Sequence, residues 1–401
     1  MGVIKMGRYI VMDIVFYGNS LNYDQGSGNY QELKKITKWD GRQYSLVSRY
    51  ALRYSLLETA KNMSLWKLAG GEDLTAAGSG DKKVIQPAVD FLLSGKIIEY
   101  PEFDLFGYLI TGTTPQNFRT APVKINHAVS MTQFNYDALF NANLGLANRM
   151  RKRFGDMKPN PFTAEEHETF YQYTVVVDVD NIGEVEVYVN KGSDINFKGD
   201  KWKISEIQLD GTVTVELEKG KGKKKESDQV NQSANVEKLD STELENNLVL
   251  IKYSLKEEDY DPVKERVIEL LKAILNLKRS IKGREEDLSP KLLIMGVYKD
   301  KPYQTYKDKI TLLDEYVEEE YDEIEETPTS NGGRLVKVRH KTTKSRKPKF
   351  EIQGLSGDSE LITEENLLNL IEDLFDQKKS TECVKIFKDP SITVDIKGKR
   401  E

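Results

Sequence analysis

The spacing of apolar and polar positions along this chain predicts a mixture of strands and helices. Residues 8–16 (RYIVMDIVF) form a nearly unbroken apolar run rich in β-branched and aromatic side chains, the pattern of a buried strand. A Gly/Asn-rich loop at 18–30 follows, with residue types that permit positive φ and close backbone approach. Residues 41–58 (GRQYSLVSRYALRYSLLE) fit the helical period and predict one amphipathic helix. In that helix Asp40 caps the start and Gln43 closes a capping box. Leu46, Val47, Tyr50, Ala51, Tyr54 and Leu57 form its apolar arc. Arg42, Arg49 and Arg53 fall within roughly 40° of one another and form a guanidinium stripe.

Further along, residues 84–93 predict a helix, and 103–111 a turn running into a strand. Residues 119–131 (RTAPVKINHAVSM) partly alternate, which predicts a strand with Val123, Ile125 and His127 on one face and Lys124, Asn126 and Ala128 on the other. Residues 132–168 are long, polar and irregular. They carry Phe134, Tyr136 and Phe140 and the basic cluster Arg149, Arg151, Lys152 and Arg153. Aromatics interleaved with arginines suit single-stranded RNA, and equally suit the solvated end of an amphipathic helix. Residues 170–179 are a strong strand, and 185–189, 202–209 and 212–217 suggest others. Residues 219–235 have the low complexity of a linker. A strand at 248–253, a helix at 261–277 with Pro262 in its first turn, and a strand at 292–297 come next. Nine carboxylates between 314 and 326 predict a solvated acidic helix, and 334–349 form a basic arm. Residues 362–375 predict a last amphipathic helix. With insertions set aside, the order is strand–helix–strand–strand–helix–strand, an α+β, ferredoxin-like or RRM-like core.

Composition narrows the function. The chain has 401 residues, net charge −6 and one cysteine, Cys383, which excludes an internal disulfide framework and suits a reducing cytoplasm. The run at 9–18 is broken by Asp13 and carries no signal-cleavage pattern, so a cytoplasmic protein with no membrane partner is expected. Charge is unevenly spread: residues 1–160 hold 20 basic against 14 acidic side chains, and the remainder 39 against 51. A basic N-terminal part is a soft pointer to a polyanion partner. Three histidines far apart, His127, His167 and His340, offer no metal-ligand spacing, and no phosphate loop, dinucleotide fingerprint or nucleophile elbow occurs. No cofactor is expected. Asp24, alone in the Gly/Asn loop, reads as a turn-forming residue or as a metal-holding carboxylate.

In this order, YGNSLNYDQGSGN, GRQYSLVSRYALRYSLLE, DLFGYL, RTAPVKINHAVSM and FYQYTVVVDVDNIG resemble the DevR-type backbone subunit of type I-B CRISPR surveillance complexes. The resemblance covers residues 8–183 well and 261–298 loosely. It implies an RRM-like palm with helical insertions and a β-hairpin thumb within 132–168. The palm's first half then lies in 1–183 and its second in 247–300, with a strand-rich insertion and linker at 184–246 and a C-terminal extension at 301–401. It also implies a non-catalytic RNA-binding role. Copies polymerise along CRISPR RNA beside handle-binding, large and small subunits, and the guide pairs with target DNA. Matched to the family's RNA-facing helix are Arg42, Gln43, Ser45, Arg49 and Arg53; to the preceding loop, Asn19, Asn22 and Tyr23; to the strand before the thumb, Arg119, Lys124, Asn126 and Met131. Arg149, Arg151, Lys152 and Arg153 are added from charge. The alternatives are an endoribonuclease that cuts target RNA with Asp24, and a DNA-binding autoregulator.

Overall fold

The computed structural model describes residues 7–78, 80–156, 160–197, 200–208, 212–217, 226–257, 260–313, 316–328, 334–355, 361–376 and 383–398. In chain order, the elements that matter here begin with β1 (Arg8–Asn19), β2 (Lys35–Thr37), β3 (Gln43–Val47) and α1 (Arg49–Asn62). Next are β4 (Val123–Ile125), β5 (Ala128–Ser130), β6 (Ala138–Asn141), α2 (Leu144–Phe154), β7 (Phe162–Glu165) and β8 (Glu168–Asp178). The chain continues through α3 (Pro262–Leu275), β9 (Leu292–Lys299), β10 (Tyr316–Pro328), β11 (Arg334–Arg346), α4 (Glu364–Phe375) and β12 (Cys383–Lys388).

The architecture is α+β. A nine-stranded sheet runs Leu361–Ile362, β12, β9, β1, β8, β5, β3, β2, with β4 also on β8. β1 lies at its centre, antiparallel to β8 on one side and β9 on the other. Alternation along β1 sends Ile10, Met12, Ile14 and Phe16 to one face, where α1, α3 and α4 bury Leu52, Leu56, Leu270, Ile274 and Leu367 against them. Each such side chain contributes about 1.5–3 kcal/mol by leaving water. On the opposite face Val15 joins Phe170, Leu292 and Ile294 under a small sheet made of Ile310–Leu313, Lys349–Leu355 and Thr393–Gly398. Burial on both faces explains why β1 reads as a continuous apolar run. The α3 start is as expected: Asp261 accepts from the amides of Val263 and Lys264, with Pro262 at the first position.

A second core gathers Val89–Leu93 and its neighbours against two further sheets. One is built from Glu184–Asn190, Leu248–Leu255 and Val236–Glu243, the other from Asp194–Phe197, Asp200–Ile207, Val213–Leu217 and Glu226–Val230. The strand at 248–255 therefore belongs to the insertion and not to the central sheet. Part of the expected linker is the strand Glu226–Val230; its residues 219–225 lie outside the described residues.

Four other expectations give way. The helix predicted over 41–58 is two elements: Gln43–Val47 pairs with β5 and β2 as a strand, and only Arg49–Asn62 is helical. Sheet partners outweigh a helical period that residues 43–47 match by chance. The strand expected over 119–131 is broken. β4 and β5 both pair with β8, but the register slips by one residue across Asn126–His127, a bulge. Hence Ala128 is buried and His127 exposed, the reverse of the simple alternation. Residues 84–93 are a strand, Val84–Pro87, followed by a short helix, Val89–Leu93. The acidic helix expected over 314–326 is, from residue 316 on, β10, paired over thirteen residues with the basic β11; residues 314–315 lie outside the described residues.

Candidate nucleic-acid interface

The best-placed basic residues surround the start of α1. Ser48 caps that helix, its hydroxyl accepting from Ala51 N–H at 3.2 Å, while Asn22 Oδ1 accepts the Ser48 amide at 2.9 Å. Asn22 thus ties the Gly/Asn loop to the helix start. Arg49 and Arg53, one turn apart, are both exposed, as the four-residue spacing requires. They line an open groove of about 450 Å³ together with Tyr50, Phe106, Lys124 and Asn126. Lys124 and Asn126 reach it from β4 and the bulge after it. Two rings accompany the cations. Tyr50 is 63 % exposed, and its phenol accepts from Arg49 at 3.0 Å, which draws its pKa below the ordinary value. The Arg53 guanidinium lies 6.0 Å from the Phe106 ring, a shallow cation–π contact.

The positive field extends beyond this groove. His127 Nδ1, in the bulge, accepts the Arg49 amide at 2.9 Å. Burial lowers its pKa first, and Arg49, Lys34 and Lys307 lower it further. Burial and Lys307 also lower the pKa of Lys38. Lys34 and Lys307 thus act on His127 beside Arg49, while Asp40 and Asp308 oppose Lys307 at Lys38. The fixed forks of the arginines match phosphate oxygens, and the rings offer faces for bases. Sequence reasoning did not select Lys34, Lys38, His127 or Lys307 as site residues. Lys34 and Lys38 carried a signal, since both precede β3; Lys307 carried none, being brought in by the C-terminal extension.

Other expected site residues lie elsewhere. Arg42 precedes β3, so the three-arginine stripe does not form; its side chain is 65 % exposed, and its amide donates to Asp40 Oδ1 in a turn. Asp40 is thus no helix cap. Gln43 is exposed on β3, closes no capping box, and its carbonyl accepts from Phe134 N–H at 2.8 Å. Ser45 is buried, its hydroxyl held between His167 Nδ1 at 2.7 Å and the Tyr171 phenol at 2.8 Å, and offers nothing to a ligand. Asn19 lines a separate cavity with Thr132, Tyr136, His167 and Arg284, and its side chain accepts from Ser20. Tyr23 is half-buried under the Lys282 ammonium, 3.5 Å from its ring centre. Met131 packs, half-buried, onto the core beneath the small sheet.

Arg119 is held within the fold. Its side chain is 9 % exposed and bound to the fully buried Asp104, with a 2.6 Å contact between Nη2 and Oδ1. It also donates to the carbonyls of Asp104, Asn181 and Glu184. Arg266 of α3 reaches Asp104 Oδ2 from the other side, and the Gly183 amide donates to the same carboxylate. Arg119 is a structural strut between the two cores, because a buried carboxylate requires paired donors.

Within 132–168, where a hairpin thumb is expected, the structure holds an antiparallel pair, β6 with β7, with the helix α2 between its strands. Glu165 anchors its root, accepting from Lys35 Nζ at 2.6 Å, Leu33 N–H at 2.7 Å and the Tyr30 phenol at 3.1 Å. Arg149, Arg151, Lys152 and Arg153 lie on α2, outside the groove lining; Arg151 pairs with Asp156 at 2.9 Å. Asp24 accepts its neighbour's amide, that of Gln25, and lies 3.6 Å from Lys34, the pattern of a loop-shaping aspartate. Among the described residues no group of three or more His, Cys, Asp or Glu side chains is arranged to hold a metal ion, and no helix is long and apolar enough to cross a membrane.

No curated protein matches this chain. The sequence profile of one family, described as the CRISPR-associated negative auto-regulator DevR/Csa2, matches residues 10–321 and so spans β1, the groove, the β6–α2–β7 segment and the second core. With well over half its length matched, this chain belongs to the DevR/Csa2 family of CRISPR-associated proteins.

Proposed function

We propose that this chain is a non-catalytic, RNA-binding backbone subunit that polymerises along CRISPR RNA in a type I-B Cascade-like complex. It presents the guide for pairing with target DNA, beside the handle-binding, large and small subunits. The observation that carries this reading is the groove of Arg49, Arg53 and Lys124 with Tyr50 at its side and further lysines beyond. Phosphate contacts of this kind hold a strand without reading its bases, as a guide that must vary in sequence requires. The order β9–β1–β8–β4/β5, with α1 and α3 on one face, supports the RRM-like palm, and the β6–α2–β7 unit supports the thumb. Asp24, engaged by Gln25 and Lys34, favours binding over cleavage.

The test is guide-RNA binding by the full chain across a salt series. Arg49→Ala with Arg53→Ala is expected to weaken binding and to lower the slope of log K against log salt by about 1.4, since each phosphate that an arginine no longer neutralises on a single strand removes about 0.7. An unchanged slope overturns the reading. Guide-free protein that prefers duplex promoter DNA to guide RNA supports a regulator instead.

A further inference from the structure

β10 and β11 form a two-stranded ribbon that pairs with no further strand among the described residues. At thirteen residues a strand, it extends on the order of 40 Å. Its charges are segregated by strand. β10 carries seven carboxylates and no cation; β11 carries six Lys and Arg and no carboxylate. One outer edge is therefore acidic and the other basic. Ile324 stands opposite Val338, with Val336 two residues on, and all three are about half exposed or more at 63, 48 and 56 %. The family match ends at residue 321, inside β10, so most of the ribbon lies beyond it.

We propose that this ribbon is a self-association arm, in which the acidic β10 edge of one copy receives the basic β11 edge of a second copy of this chain. Like edges repel and unlike edges attract, so the join is head-to-tail, a heterologous contact that repeats without closing. Backbone hydrogen bonds along the joined edges supply affinity, the charge pattern supplies direction, and the exposed Ile324, Val336 and Val338 give the joined surface apolar area to bury. A nucleic acid is a poorer fit, because the two strands together carry seven carboxylates against six Lys and Arg and so no net positive charge. The inference deepens the proposed polymerisation and rests on it.

The experiment measures self-association of the full chain by sedimentation without nucleic acid, at low salt and at 1 M salt, where screening shortens to about 3 Å. Lys337→Glu with Arg339→Glu, or Glu323→Lys with Glu325→Lys, is expected to weaken self-association about tenfold or more. All four changes together restore opposite charges both within the ribbon and between copies, and are expected to recover the association. High salt is expected to weaken it in the wild type. One-sided variants that associate as well as wild type, or a four-fold variant that stays dissociated, overturn the proposal. Guide-RNA affinity of a single copy is expected to stay unchanged in every ribbon variant; its loss would make the ribbon a nucleic-acid arm and also overturn the proposal. The Arg49 and Arg53 salt slope is read separately, so failure of the arm and failure of the RNA-backbone reading remain distinguishable.

Discussion

Arg49 and Arg53 in the groove and Arg119 and Arg266 on Asp104 use the same side chain to opposite ends. The first pair is exposed on one helix face and, among the described residues, meets a phenol and an aromatic ring. The second pair converges from a short strand and from α3 on one fully buried carboxylate, with its other donors taken by main-chain carbonyls. A guanidinium already held by a buried carboxylate has few donors left for a phosphate. One whose neighbours are rings keeps its fork available. In this protein charge alone did not separate exposed arginines from structural ones; the partners did.

The buried pair depends most on Asp104. Asp104→Ala leaves two guanidiniums without their buried counter-charge and is expected to cost about 3–5 kcal/mol in urea unfolding; a loss under about 1 kcal/mol would show that the strut carries little. Arg119→Ala comes next, at about 2–3 kcal/mol for its charge-assisted hydrogen bonds, with the RNA salt slope unchanged. A lowered slope would return Arg119 to the RNA-binding set.

Asp13 gives the same contrast from the carboxylate side. It is buried like Asp104 but without a guanidinium, accepting from Thr174 Oγ1 and the Tyr306 amide, each at 2.5 Å. Burial raises its pKa, against the pull of those hydrogen bonds. Since the folded value lies above the unfolded one, Asp13's contribution is fully present below the unfolded value and is lost as pH rises through the folded value. Asp13→Asn is therefore expected to flatten the decline of stability between those two values, read from urea midpoints at several pH values. A profile that matches wild type would remove Asp13 from the pH response. Smallest of all, Arg49→Ala with Arg53→Ala is expected to change stability by no more than about 0.5 kcal/mol, as surface substitutions usually do, while altering RNA binding. A large loss of stability would place these arginines with the buried pair.

Much of the frame was legible. Residues 8–16 and 170–179 are apolar runs that only a strand buried on both faces explains, and α3 announces itself by Asp261, Pro262 and a regular apolar stripe. Four of the sixteen chosen site residues, Arg49, Arg53, Lys124 and Asn126, line one groove. The helix expected at Ser45 gives way to a strand paired with Lys35, and its hydroxyl is taken up by His167 and Tyr171, more than 120 residues later. The acidic segment was misread because glutamates favour helix locally, while its strand partner across the ribbon is basic.

By itself, the sequence determined the α+β order, the buried strands, the capped α3 and the family, since these follow from local periodicity, caps and motifs. Tertiary structure alone decided where 43–47 turn from helix to strand, how the bulge exposes His127, and which arginines remain available. Each of those outcomes depends on a partner distant in the chain: a sheet neighbour, a register slip or a buried carboxylate.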